Sequence, residues 1–119
     1  VQAAPAAGPL IATILTALDD AKAEDIVTID LAGKSSIADA MIVATGRADR
    51  HVGAIADRVV KALKDKHVSG VHIEGEQTCE WVLIDAGDVI VHVFKPETRS
   101  FYNIEKLWSA DRPKELRGE

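Results

Sequence analysis

Four groups of residues have the types and spacing that catalysis or ligand binding uses. Gly33-Lys34-Ser35 matches the end of a phosphate-binding loop, in which backbone amides, a lysine and a hydroxyl cradle a phosphate. The first glycine of such a loop should stand where Thr28 is, and Ser36 leads into a strand pattern instead of a helix, so a polar turn is the stronger reading. His72, Cys79 and His92 are metal-ligand types, but no C-x-x-C, H-x-x-x-H or H-E-x-x-H spacing fixes a coordination geometry. Asp30, Asp39, Asp85 and Asp88 stand near strand ends or turns, where an acid or base could work and where solvated aspartates ordinarily sit. No D-x-D pair follows Gly33-Lys34-Ser35-Ser36 to hold magnesium and a nucleotide. Arg47, Arg50 and His51 open a helical segment and are of types that meet anions, but charged residues on a first turn are usually just solvated. These residues predict no catalytic group, no cofactor and no metal.

The elements that would carry such residues follow from periodicity. The 119 residues fit one domain with one core. A single cysteine excludes an internal disulfide, and no stretch is apolar enough to span a membrane, so a reducing, cytoplasmic setting is expected. Residues 1–9, rich in Ala and Pro, read as a flexible tail, and residues 110–119 as a polar tail. Leu10, Ile11, Ile14, Leu15, Leu18 and Ala21 recur at helical spacing over 10–23. Asp25 to Leu31 alternates as a strand, with Val27, Ile29 and Leu31 on one side, and the apolar run Met41 to Ala44 fits a strand covered on both faces. Val52, Ile55, Ala56, Val59, Ala62 and Leu63 define the longest helix, within 48–66. A short strand at 71–74, strands at 81–85 and 88–94, and a helix at 98–108 complete the order α-β-β-α-β-β-β-α. That order predicts an α/β (α+β) fold in which helices pack on a mixed sheet with a C-terminal antiparallel hairpin.

The hairpin register turns pattern into a functional expectation. With Ala86-Gly87 as a tight turn, Asp85 faces Asp88, Leu83 faces Ile90 and Trp81 faces His92 on one side. Val82, Ile84, Val89 and Val91 take the other side and make the better core face. The side bearing Trp81, Leu83, Ile90 and His92 then either meets a partner or lies beneath one of the helices. A tryptophan among aliphatic residues, rimmed by Asp85, Asp88, Glu74 and Glu80, has the anatomy of an interface hot spot. Nineteen acidic against fourteen basic residues give a net charge of −5, which favours a basic protein partner over bare nucleic acid.

Several blocks occur together in order: Gly33-Lys34-Ser35-Ser36-Ile37-Ala38-Asp39, Thr45-Gly46-Arg47, Arg50-His51-Val52, Ile55-Ala56-Asp57, Trp81-Val82-Leu83-Ile84-Asp85, Gly87 through Phe94, and Glu105-Lys106-Leu107-Trp108. Over residues 10–109 the chain resembles the bacterial ribosomal silencing factors, the RsfS or Iojap family. The resemblance implies a nucleotidyltransferase-like fold without the catalytic motif, and a homodimer when free. It also implies binding to the large ribosomal subunit through large-subunit ribosomal protein fourteen (uL14) under nutrient limitation, with joining of the small subunit blocked sterically. The family's interface tryptophan matches Trp81, and its acidic, histidine-bearing hairpin matches Asp85, Asp88 and His92; Leu83 and Ile90 join them through the hairpin register alone. Two other classes remain open from the residues themselves. One is a nucleotide-binding transferase relic centred on Gly33 to Asp39, and the other a self-associating assembly module whose patch binds only itself.

Overall fold

The computed structural model describes residues 3–33 and 38–102. The elements are α1 (Ala3–Asp20), β1 (Glu24–Asp30), β2 (Ala40–Thr45), α2 (Asp49–Asp65), β3 (His72–Glu74), β4 (Trp81–Asp85), β5 (Val89–Phe94) and α3 (Pro96–Tyr102), in the order the sequence predicts. α1 starts at Ala3 and so runs through the segment expected to be a flexible tail. The physical reason is the run of alanines, the best helix formers, with Pro5 in the first turn, where its missing amide costs no hydrogen bond. At the other end, Ile104, Leu107, Trp108 and the polar tail at 110–119 lie outside the described residues.

The five strands form one mixed sheet in the order β1-β2-β5-β4-β3. Only the central pair β2–β5 is parallel; β1–β2, β3–β4 and β4–β5 are antiparallel. β2 is buried at all six positions, as its unbroken apolar run requires of a strand with neighbours on both sides and cover on both faces. Ile14, Ala17 and Leu18 of α1 and Val52, Ile55, Ala56, Val59 and Leu63 of α2 pack on one face of the sheet. They bury Ala40, Ile42, Ala44, Val82, Ile84, Val89, Val91 and Val93. A second, smaller cluster on the opposite face joins Ile29, Leu31, Ala38, Met41, Val43 and Phe94.

Side-chain hydrogen bonds tie the helical layer to the sheet. His51 Nδ1 accepts from the Arg47 amide at 2.9 Å, and its Nε2 lies 2.9 Å from the Ala21 carbonyl that follows α1. Arg47 pairs with Glu24 at 2.7 Å, and Lys95 joins the end of β5 to Asp49 at 2.8 Å. The hydrogen bond to Lys95 holds the Asp49 carboxyl below its ordinary range. Arg47 and His51, the anion candidates at the start of α2, thus serve as structural ties, with Arg50 exposed beside them.

The hairpin departs from expectation by one residue in its turn. Ala86 N donates to Val89 O at 3.0 Å, so the two central residues are Gly87 and Asp88 in place of Ala86 and Gly87. Gly87 stands at φ +91°, and a two-residue turn with one positive φ at its first central position requires glycine there, whereas Ala86 would be strained. Asp85 Oδ1 accepts from Gly87 N at 2.9 Å and braces the bend. The partners therefore become Asp85–Ile90, Leu83–His92 and Trp81–Phe94, replacing Asp85–Asp88, Leu83–Ile90 and Trp81–His92. A shift of two residues preserves the alternation, so the strand side chains keep the face that the sequence predicts for them, while Asp88, expected opposite Asp85, falls in the turn.

Candidate partner-binding face

On the sheet face away from α1 and α2, the registers align side chains in three rows. His72, Asp85, Ile90, Met41 and Ile29 form the first, and Glu74, Leu83, His92, Val43 and Val27 the second. Trp81, Phe94 and Thr45 form the third. Glu74, Glu80 and Asp88 are exposed, while Trp81, Leu83, Asp85 and Ile90 are half-buried. Among the described residues none of Glu74, Glu80, Asp85 and Asp88 is in an ion pair, although Glu80 lies near enough to Lys95 to add to the Asp49 hydrogen bond in raising the lysine's pKa.

His92 is the exception to the expected solvent-facing side. It is 5 % exposed, flanked in the sheet by Val43 and Leu83 and packed against the Trp81 and Phe94 rings, whose centroids lie 5.9 and 6.0 Å away. Trp81 Nε1 donates to His92 Nδ1 at 3.0 Å. Phe94 stacks on both rings, with centroids 5.0 Å from Trp81 and 6.0 Å from His92. Burial pushes the His92 pKa down to about 4, so the ring is neutral near pH 7 and its Nδ1 lone pair is available to the indole. Phe94 belongs with the predicted site residues, and the alternation Ile90, His92, Phe94 was the signal for it.

Loops place this face accurately. Gly75, at φ +85°, lets the chain leaving β3 pass against the Trp81 carbonyl, where any β-carbon would collide. The Asp88 carbonyl accepts from the amides of Asp39, at 2.8 Å, and Ala40, at 3.2 Å, fixing the hairpin tip against the entry to β2. Asp30 Oδ1 accepts from Ala32 N at 3.0 Å, a turn-forming role. The groups weighed for chemistry do not converge. Cys79 lies against Gly53 of α2 and donates to Glu76 O at 3.1 Å, while His92 is on the other face. Among the described residues no three His, Cys, Asp or Glu side chains could hold a metal ion. Residues 34–37 of the glycine-lysine-serine turn lie outside the described residues.

The fold and face define a class: a mixed-sheet α+β domain with α1 and α2 on one side and an aromatic cluster with acidic neighbours on the other. Residues 4–118 match the family model described as ribosomal silencing factor during starvation, and the chain belongs to that RsfS family. It is 48 % identical over 99 residues to a ribosomal silencing factor RsfS of Zymomonas mobilis, covering 83 % of this chain and 74 % of that protein. It is 42 % identical over 92 residues to the Bacillus subtilis RsfS, covering 77 % and 78 % of the two chains. A crystal structure of a Chromobacterium violaceum protein superposes with a TM-score of 0.83 at 44 % identity, over 85 % of this chain and 84 % of that one.

Proposed function

We propose that this chain represses translation by docking its Trp81 face onto a basic protein surface of the large ribosomal subunit, that of large-subunit protein fourteen (uL14). The bound chain then blocks joining of the small subunit by occupying its place, under nutrient limitation and without making or breaking a covalent bond. The observation that carries this reading is Trp81, half-buried on the sheet face away from α1 and α2, with Glu74, Glu80, Asp85 and Asp88 on the β3–β5 segments around it, none of them in an ion pair among the described residues. An aromatic anchor with an acidic rim suits a basic protein surface and repels bare phosphates. Family membership supports the ribosome as target and silencing during starvation as the role; cytoplasmic action, a non-enzymatic mode and a homodimer in the free state belong to the same proposal.

Sedimentation of the purified chain with large and small subunits, alone and mixed, tests the reading. The natural chain should travel with the large subunit and prevent joining. Trp81→Ala should cost about 2 kcal/mol or more of binding. Because Trp81 also packs on Phe94, the double variant Asp85→Asn/Asp88→Asn serves beside it: it leaves the aromatic cluster in place and should weaken binding most at low salt. A natural chain that ignores the large subunit, or a folded Trp81→Ala that binds unchanged, defeats the proposal.

A further inference from the structure

Trp81 and His92 are not cross-strand partners. Trp81 stands opposite Phe94, and His92 opposite Leu83, so the indole must lean diagonally across β4 and β5 to reach the imidazole. It does so with its one polar atom, the Nε1–H, which points at Nδ1 over 3.0 Å. The two rings are tilted by 43° with centroids 5.9 Å apart, and Phe94 lies stacked against both. Since Nδ1 accepts, the neutral imidazole carries its proton on Nε2, a tautomer assigned from this hydrogen bond. His92 is itself locked: it is buried in the sheet centre between Val43 and Leu83. A rigid acceptor therefore holds one end of a half-buried indole.

That arrangement matters for binding, because an anchor side chain free to change rotamer loses affinity when a partner immobilises it. We infer that His92 is a positioning residue of the docking face: its Nδ1 orients the Trp81 indole before the partner arrives, and its effect on binding passes through Trp81. This rests on the docking function proposed above. An imidazole that merely filled space would be replaced by any side chain of similar volume. A positioning acceptor is replaced only by another acceptor, and asparagine offers its Oδ1 near the place of Nδ1.

A double-mutant cycle on the full chain separates the two roles, with affinity for large subunits as one readout and the Trp81 indole N–H resonance as the other. The resonance is assigned by its loss in Trp81→Phe. His92→Asn should bind within about twofold of the natural chain and keep a slowly exchanging indole N–H. His92→Leu should lose that protection and bind about five- to tenfold more weakly, the worth of one hydrogen bond. In a Trp81→Phe background, which lacks the donor, His92→Leu should cost nothing further. Equal losses from His92→Leu in both backgrounds, or an Asn variant as impaired as the Leu one, would overturn the inference. If Trp81→Ala binds like the natural chain, the docking function fails instead. The indole resonance still decides positioning in that case: fast exchange in the natural chain refutes it.

Discussion

Replacing His92 with asparagine should remove one specific pH dependence from the unfolding free energy. Burial alone lowers the His92 pKa from 6.5 to about 4 in the folded chain. The ionisable groups on the same face are Asp85 on β4, Glu74 and His72 on β3 beyond it, and Arg99 of α3, which bonds Thr45; β2 itself contributes Met41, Val43 and Thr45, none of them ionisable. Between pH 6.5 and about 4 the unfolded chain binds a proton at this position that the folded chain refuses, so stability falls as the pH falls. The slope is about 1.4 kcal/mol per pH unit, and the whole interval amounts to about 3 kcal/mol. Above pH 6.5 both states are neutral at His92 and the effect vanishes. Urea unfolding followed by circular dichroism, for the natural chain and His92→Asn, from about pH 7.5 to about pH 5, isolates the imidazole because carboxylate titrations common to both chains cancel. Between pH 6.5 and 5 the natural chain should lose about 2 kcal/mol more than the variant. Parallel curves would refute the buried neutral imidazole. A natural chain that gained on the variant in acid would mean that Asp85 or Glu74 holds an imidazolium.

Two further substitutions probe how the face is supported. Gly75→Ala should destabilise the fold by about 2 kcal/mol or more in urea unfolding, since it puts a β-carbon against the Trp81 carbonyl at a positive φ. A midpoint shift near zero would show that the β3–β4 loop yields freely. Arg58→Ala breaks the 2.9 Å pair with Asp20 between α2 and α1, whose side chains are about half exposed, and should change stability by no more than about 0.5 kcal/mol. A larger loss in the same assay would mean that the pair, and not Ile14 and Leu18, holds the helices together.

Much of this face was legible because period-two alternation survives errors that partner assignments do not. Placing the turn at Ala86-Gly87 misassigned every cross-strand partner, yet Trp81, Leu83, Asp85, Ile90 and His92 all kept their common side, because the slip was two residues. The φ requirement at Gly87 could have corrected it, since glycine belongs at the first central position of such a turn. The burial of His92 was not legible from its own strand. It depends on β2 coming to lie parallel to β5 and setting Val43 beside the imidazole, a contact 49 residues apart in sequence that no local pattern encodes. Likewise the helix reaching back to Ala3 outran the apolar period, because its first turns are set by alanine propensity and not by burial.

The edges of the sheet bear on which direction a partner approaches. β1 is one edge, and its register breaks between Glu24 and Val27, where Asp25 adopts a positive φ. Arg99 of α3 donates to the Asp25 carbonyl and to Thr45 Oγ1, both at 2.6 Å, so part of this edge is already engaged. Val27, 36 % exposed, is the one large exposed apolar residue among the described positions, and it projects from the face and not along the edge. β3, the other edge, is three residues long and carries exposed His72 and Glu74. A bulge, a short strand and polar side chains are the features that discourage strand addition. With both edges ill-suited to strand addition and α1 and α2 packed on one face, the proposed partner approaches the other face, where α3 already reaches Thr45 through Arg99. A protein surface that docks there meets side chains whose rings are already fixed by β4 and β5, so recognition depends on the hairpin's internal packing as much as on the residues that touch the partner.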